Sequence, residues 1–394
     1  MTPSVHHPAM PRIPAIPGTR VPSHSAHASW LRKEVSKLCM TDNQRFPGAQ
    51  PISFLNTHFA QLEAEDFWVC EKSDGIRALL FVHLKPNGHQ TVYLLDRHND
   101  YYELSGLSFP RHQHPNLPLH NTIVDGELVY DVDPRTNLET LRFLAFDCLV
   151  VDGENIMALS LDRRFDLLHK RFHNPFVRAH HQAHAPAGTP FDIRIKQMQR
   201  SYGTALVFAE AASLEHDSDG LIYTRVNAPY TPSTTSSIIK WKPRSENSID
   251  FRLVLCFPPG HHDRPLKPLF LLHVWCGGDK YEPYDELYVT DEEWEAMRCS
   301  GEQYHNRIIE ARWDRQHHHW LKMRFRDDKP HANHKKTVEN IMKSIDHGVE
   351  QHTLLERCDS IRAAWKAREL RYGRLGVSRW SRVGGPPTVA GMRR

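Results

Sequence analysis

Glu71-Lys72-Ser73-Asp74-Gly75-Ile76-Arg77 lies between two apolar runs, 67–70 and 78–82. Runs rich in Val, Ile, Leu, Phe and Tyr, bounded by turn residues, read as strands. A lysine at a strand end, followed by the turn signal Ser-Asp-Gly, stands at a cleft rather than in a core. Its amine becomes a nucleophile when partial burial or neighbouring cations favour loss of its proton. Arg77 is close enough in sequence to act both as such a cation and as a ligand contact. By itself the pattern is weak: K-x-D-G arises by chance in roughly one chain in ten of this length. Alone it describes a solvated turn with a spare lysine.

Outward from Lys72 the chain supplies partners in order. Asp96-Arg97-His98-Asn99-Asp100 ends one strand, and Asp125-Gly126-Glu127-Leu128 lies inside another. There the two-residue period puts Asp125 and Glu127 on one face. Carboxylates inside an apolar strand are costly to bury without partners, so this pair is expected to line a site. Phe146-Asp147 closes the run 141–145, and Asp219-Gly220-Leu221-Ile222 opens a strand with a carboxylate at its mouth. Ile239-Lys240-Trp241-Lys242 sets two lysines on one strand face with a tryptophan opposite, and Arg324 shares a face with Arg326. Cations converging with isolated carboxylates suit a nucleoside triphosphate and a divalent metal, because carboxylates hold Mg²⁺ while Lys and Arg neutralise the leaving phosphates. Neither GxxxxGK[ST] nor GxGxxG occurs. The usual phosphate cradles are therefore missing, and a lysine attacking phosphorus fits better than simple hydrolysis.

Whole-chain totals say less. The 394 residues carry 50 Lys and Arg against 47 Asp and Glu, a net +3, so local clusters must carry any case for nucleic acid. The length suffices for two domains with separate cores. No stretch approaches the ~18–20 unbroken apolar residues of a membrane-spanning helix, and a soluble protein without membrane contact is expected. The seven cysteines are dispersed without a CxxC pair, which reads as reduced thiols inside a cell rather than a zinc site. His180-His181 and His317-His318-His319 lack the i, i+4 pairing of a zinc helix and read as solvated loop histidines without a role.

Residues 1–28 hold six prolines and no Asp or Glu, so a disordered Pro/His-rich tail is expected there. With only Arg12 and Arg20, and so much proline, an amphipathic mitochondrial presequence is disfavoured. Ser29 is the expected N-cap of a helix carrying Leu31, Val35 and Leu38 on one face. Helical spacing returns around 160–171, and 173–191 reads as a loop or insertion. From Ile249 onward, five short β-rich runs and a helix with the Thr290/Glu293 capping-box spacing suggest a small barrel of the OB type. Helical spacing resumes from Lys335, and the last twenty residues are expected to fray.

The ordered motifs resemble those of the covalent nucleotidyltransferases, the mRNA capping enzymes and ATP-dependent polynucleotide ligases. They are EKSDGIR (71–77), DRHNDYYEL (96–104), VDGELVYD (124–131), FLAFDCLV (143–150), SDGLIYTR (218–225), IIKWKP (238–243) and WLKMRFRDDK (320–329). The resemblance spans about 33–345, and within the family the chain is most similar to fungal capping guanylyltransferases. FPGAQPISF (46–54), the KWKP form and the MRFRDDK ending followed by Asn333 carry that narrower likeness.

The resemblance implies an α+β fold: an ATP-grasp-like nucleotidyltransferase domain of twisted antiparallel sheets at 29–245 and an OB-fold barrel at 246–332. A helical segment at 333–372 would pack on the first domain, and a flexible basic tail would follow at 373–394. It implies that Lys72 becomes guanylylated and that Arg77 and Glu127 contact the ribose, with Arg97 near the nucleotide. Phe146 and Ile222 would sandwich the base, as an apolar–aromatic stack. Asp219 would be the metal-side carboxylate for Mg²⁺ or Mn²⁺. Lys240 and Lys242 would contact the α-phosphate of GTP, while Arg324, Asp328 and Lys329 would orient the β,γ-phosphates. Implied partners are an RNA 5′ end, an RNA 5′-triphosphatase subunit and the phosphorylated RNA polymerase II C-terminal tail, in the nucleus. The alternatives are an ATP-dependent polynucleotide ligase and a non-catalytic OB-fold module that binds RNA.

Overall fold

Asp74 and Gly75 separate two strands that enter different sheets: Phe67–Ser73 in a five-stranded sheet, Ile76–Leu84 in an eight-stranded one. A side chain at Gly75 would collide with the Leu128 carbonyl oxygen, so the crossing between sheets needs glycine. The computed structural model describes residues 13–182, 188–258 and 266–374. They form two compact units. One takes the described residues up to Ile52, then Phe59–Trp241 and those from Leu354 onward; the other takes Ser53–His58 and Lys242–Thr353.

In the first unit, the large sheet runs Thr19–Arg20, Tyr101–Leu104, Gln90–Asp96, Ile76–Leu84, Thr122–Val132, Glu139–Val151 and Asp192–Ile195, with Glu154–Asn155 paired to Glu139–Val151. It is antiparallel except for Asp192–Ile195, which lies parallel to Glu139–Val151 after the helical stretch beginning at Leu161–Leu167. Both faces are covered, which is why its central strands are almost continuously apolar. Ala78, Leu80 and Val82 face one core with Phe172 and Phe176, whereas Leu79 and Phe81 face another with Leu31 and Val35 of the helix Ala26–Cys39. Each of the leucines, valines and phenylalanines so buried contributes about 1.5–3 kcal/mol. The smaller sheet runs Gln199–Arg200, Phe67–Ser73, Ser218–Arg225, Ser233–Trp241 and Ala49–Ser53.

The second unit contains the expected five-stranded barrel, closed in the order Ser248–Cys256, Leu269–Gly277, Lys280–Tyr288, His319–Phe325 and Ile308–Asp314. The helix Asp291–Ser300 begins with the full capping box of Thr290 and Glu293, and it buries Trp294 and Met297 against the barrel core.

Four expectations about order and boundaries differ from the structure. The first helix is capped by Ser25, whose Oγ accepts from the Ala28 N–H at 3.0 Å, rather than by Ser29. Of the tail expected at 1–28, residues 1–12 lie outside the described residues. The rest is held down: Thr19–Arg20 pairs with Tyr101–Leu104, and Val21 is buried. Proline forbids a helix or a central strand there, but it is tolerated beside a short edge strand. The stretch 173–191 is not simply a loop, for Asn174–Gln182 continues the preceding helical turns and Phe176 anchors it in the core; residues 183–187 lie outside the description. The C-terminal helical segment divides. Val338 and Ile345 of Lys335–His347 pack into the barrel core, whereas Trp365 of Cys358–Arg374 is buried with Trp68 and Cys70 of the first unit. Of the expected tail at 373–394, residues 375–394 lie outside the description. No described helix is long and apolar enough to cross a membrane.

Candidate active site

Strands of both sheets in the first unit send side chains into one cleft of about 410 Å³, within the roughly 300–1,000 Å³ range of small-molecule sites. Cys70 and Lys72 share a face of their strand by the period of two. Cys70 pairs with Ile222, and Ile222 with Lys240, so three neighbouring strands point these groups the same way. From the larger sheet, Arg77 stands opposite Glu127. Phe146 arrives by a different device: the pairing jumps from Asp125↔Asp147 to Gly126↔Ala145, leaving Phe146 as the extra residue of a bulge. Bulges re-aim a side chain in this way. The Arg164 guanidinium fixes the bulge by donating to both oxygens of Asp147, each at 2.8 Å. Lys72, Arg77, Arg97, Glu127, Phe146, Ile222 and Lys240 all line the cleft.

A second irregularity, between Ser218 and Leu221, brings Asp219 to the strand of Lys72. Lys72 Nζ donates to Asp219 Oδ1 at 2.7 Å, and both side chains are partly exposed. Burial raises the pKa of Glu127 above the usual carboxylate value, against the opposing pull of Lys196, Lys72 and Arg77. Asp219, in contact with the amine, and Glu127, in the cleft wall, are hard oxygen donors of the kind that Mg²⁺ or Mn²⁺ takes.

Arg77 is committed within the protein. Its Nε and Nη2 donate to Asp125 Oδ1 and Oδ2 at 3.0 and 2.6 Å, and Nη1 donates to the Ala49 carbonyl. Asp125 is fully buried and also accepts from the Tyr230 hydroxyl at 2.6 Å. Burial works against the Arg77 charge, but Asp125 outweighs it and keeps the guanidinium pKa above its ordinary value. The guanidinium carbon also lies 5.6 Å from the centre of the Phe146 ring.

The other face of the Lys72 strand is held by a buried polar chain. Lys196 donates to Ser73 Oγ at 2.7 Å and lies 3.3 Å from Glu71. Ser73 Oγ is 3.1 Å from His216 Nε2, and His216 Nδ1 is 2.8 Å from Asp131, which also pairs with Arg142. Burial opposes the His216 charge, yet Asp131 and Glu71 raise its pKa overall. Burial likewise opposes ionised Glu71 and Asp131, but Lys196 and His216 depress the first, and His216 and Arg142 the second. Stabilisation by His216 is therefore complete below its unfolded value of about 6.5 and fades as pH rises through the higher folded value. The two carboxylates contribute above about pH 4 and lose that contribution on acidification. Urea unfolding of His216→Asn should show its largest stability deficit near pH 5.5 and a clearly smaller one at pH 9. An equal deficit at both would contradict a charged His216.

Lys242, Arg324, Asp328 and Lys329 belong to the second unit, whose longer segment starts at Lys242. Arg324 Nε donates to Glu310 at 2.7 Å, and Asp328 pairs with Arg326 at 2.8 Å. The Arg326 hydrogen bond holds the Asp328 carboxyl down at about 2. The Lys329 N–H donates to the Arg326 carbonyl at 3.0 Å. Sequence reading missed Lys196, His216 and Tyr230. Lys196 had a signal, since it directly follows the alternating run Asp192–Ile195, much as Lys72 lies near the end of Phe67–Ser73. Tyr230 had none, because its partner Asp125 is 105 positions away.

Family profiles described as "mRNA capping enzyme, catalytic domain" and "mRNA capping enzyme, C-terminal domain" match residues 13–244 and 246–355. The mRNA-capping enzyme subunit alpha of Yarrowia lipolytica is 38% identical over 373 residues, covering 91% of this chain and 93% of the relative. That of Neurospora crassa is 37% identical over 382 residues, covering 90% and 94%. A solved structure of mycobacterial DNA ligase D complexed with ATP and MES covers 72% of this chain and 95% of its own, at 16% identity and a TM-score of 0.38, too low to build on.

Proposed function

The chain belongs to the mRNA capping enzyme family and is an mRNA guanylyltransferase, and from that premise we propose that Lys72 is the residue that carries GMP. The observation behind this reading is the Lys72–Asp219 contact of 2.7 Å beside a cleft that also holds Phe146, Ile222 and Lys240. In the first step Lys72 Nζ, having lost a proton, attacks the α-phosphorus of GTP. A P–N bond forms and the P–O bond to pyrophosphate breaks. In the second, an oxygen of the RNA 5′-diphosphate attacks the same phosphorus, the P–N bond breaks, and the amine regains a proton as the 5′–5′ cap forms.

Phe146 and Ile222 stack on the two faces of the base. Lys240 neutralises charge growing at the α-phosphate, and Asp219 aims the amine. Glu127 and Arg97 hold the sugar side. Arg77, clamped by Asp125, supports that wall of the cleft and presents its remaining edge to the ribose. A divalent ion held by Asp219, with Glu127 nearby, would supply charge neutralisation on the phosphates. Roles for Lys242, Arg324, Asp328 and Lys329 at the triphosphate rest on the motif resemblance alone. The relatives are named as alpha subunits, which supports work on RNA within a multi-subunit capping enzyme. We extend this to an RNA 5′-triphosphatase subunit, the phosphorylated polymerase tail and a nuclear location.

Incubation with α-labelled GTP and Mg²⁺, followed by a denaturing gel, should give a labelled band at least about tenfold stronger than α-labelled ATP gives, and none without the metal. Label from ATP alone would make the protein a ligase-type enzyme instead.

A further inference from the structure

The hairpin joining Ile308–Asp314 to His319–Phe325 pairs Asp314 with His319. The Asp314 carboxylate is fixed by its own turn: Oδ1 accepts from the N–H groups of Gln316 and His317 at 2.9 and 3.3 Å. Its Oδ2 lies 2.9 Å from His317 Nδ1 and 3.9 Å from His319 Nε2. The two imidazoles stack 5.6 Å apart at 18°, and Tyr288 backs His319 at 4.2 Å and 16°. His318 takes a left-handed φ of 54°, and its ring meets Trp313 instead. The turn's arginine, Arg315, is engaged by the Ile345 carbonyl at 3.1 Å.

Consecutive histidines in an extended segment point to opposite sides, and the run His317-His318-His319 lacks the i, i+4 spacing of a zinc helix, the ground on which it reads as solvated and without a role. The hairpin selects the alternate pair and adds a carboxylate that the run does not contain. Among the described residues, Asp314, His317 and His319 form a group of three whose donor atoms, one from each, lie mutually within 4.8 Å.

We propose that Asp314, His317 and His319 form a binding site for a divalent transition-metal ion of the Zn²⁺, Co²⁺ or Ni²⁺ type. A tetrahedral ion with bonds of about 2.0–2.1 Å sets its ligand atoms about 3.3 Å apart, and the two distances to Asp314 Oδ2, 2.9 and 3.9 Å, bracket that spacing. Closing the site needs only small side-chain rotations, which the exposure of His317 permits. Two imidazoles and one carboxylate favour these ions over Mg²⁺ or Ca²⁺ and separate the site in chemistry from the cation that serves the nucleotide. Water would complete the coordination. The ion would cross-link the two ends of the turn that opens the strand bearing Arg324.

Co²⁺ alone, titrated into the full chain and followed by its visible absorption and by calorimetry, tests the site. The parent should bind one more equivalent than the His317→Ala/His319→Ala double variant, and the affinity of that equivalent should fall at least tenfold in Asp314→Asn. All variants should still label with GTP, which shows them folded. Equal stoichiometry and identical spectra for parent and variants would overturn the proposal. So would failure of the parent to bind Co²⁺.

Discussion

Lys72→Ala removes the GMP-labelled band, a drop of at least about 10³-fold in adduct formation. On the proposed role, the amine removed is the group that bonds to phosphorus, and it stands 2.7 Å from Asp219 Oδ1. Lys72→Arg fails as well, since a guanidinium stays protonated and is no nucleophile. Unfolding does not explain the loss: a partly exposed ion pair contributes only about 0–1 kcal/mol, so the variant keeps the parent's melting behaviour. Non-covalent GTP binding persists, because Phe146, Ile222 and Lys240 remain. Adduct formation at an undiminished rate, or a GMP-bearing peptide mapped to another side chain, would end the assignment.

Asp125→Ala costs about 3 kcal/mol of stability, the lower end for a buried pair, because it strips the fully buried partner from a guanidinium that keeps 23% of its surface toward the cleft. Guanidinium chloride unfolding measures it. Tyr230→Phe removes a single hydrogen bond to the same carboxylate and costs about 1–3 kcal/mol. The two substitutions share a network, so their combined cost falls short of the sum. A loss below about 1 kcal/mol for Asp125→Ala would mean that water reaches Arg77 and that the clamp is not closed. Any loss of labelling in Asp125→Ala should exceed that in Tyr230→Phe, since only the first frees the Arg77 fork.

The Asp125–Glu127 pair shows how far sequence reading reaches. Their shared face follows from strand periodicity, and both do line the cleft. Their division of labour does not follow from it. Asp125 is fully buried under Arg77 and Tyr230, whereas Glu127 keeps part of its surface. That difference depends on which side chain arrives from 105 positions away. Phe146 is similar. Its aromatic character and position at the end of an apolar run were plain, but the register jump that turns it into the cleft exists only between paired strands.

The C-terminal helices mark another boundary. Val338, Ile341, Ile345 and Ile361 announce amphipathic helices, because the 3.6-residue period is a local property. Which core each helix joins is not local. Lys335–His347 covers the barrel and Cys358–Arg374 covers the first unit, and the chain carries no signal for the switch between them. The order at Thr19–Arg20 was missed for the same reason: proline density forecasts the absence of a helix, not the presence of a free sheet edge.

By itself the sequence determined the chemistry: a lysine before a tight glycine turn, carboxylates on alternating strand positions, a barrel of five short strands, and the spacing that ties them to one family. These depend on residue type and on near neighbours along the chain. The tertiary structure alone decided the company each group keeps. It set Lys72 against Asp219, locked Arg77 to Asp125, tied Lys196 and His216 to Ser73 of the same strand, and folded Asp314 onto two histidines of a run that looked idle. Those contacts are matters of register and packing between distant segments, where one bulge or one turn redirects a side chain without changing the local pattern.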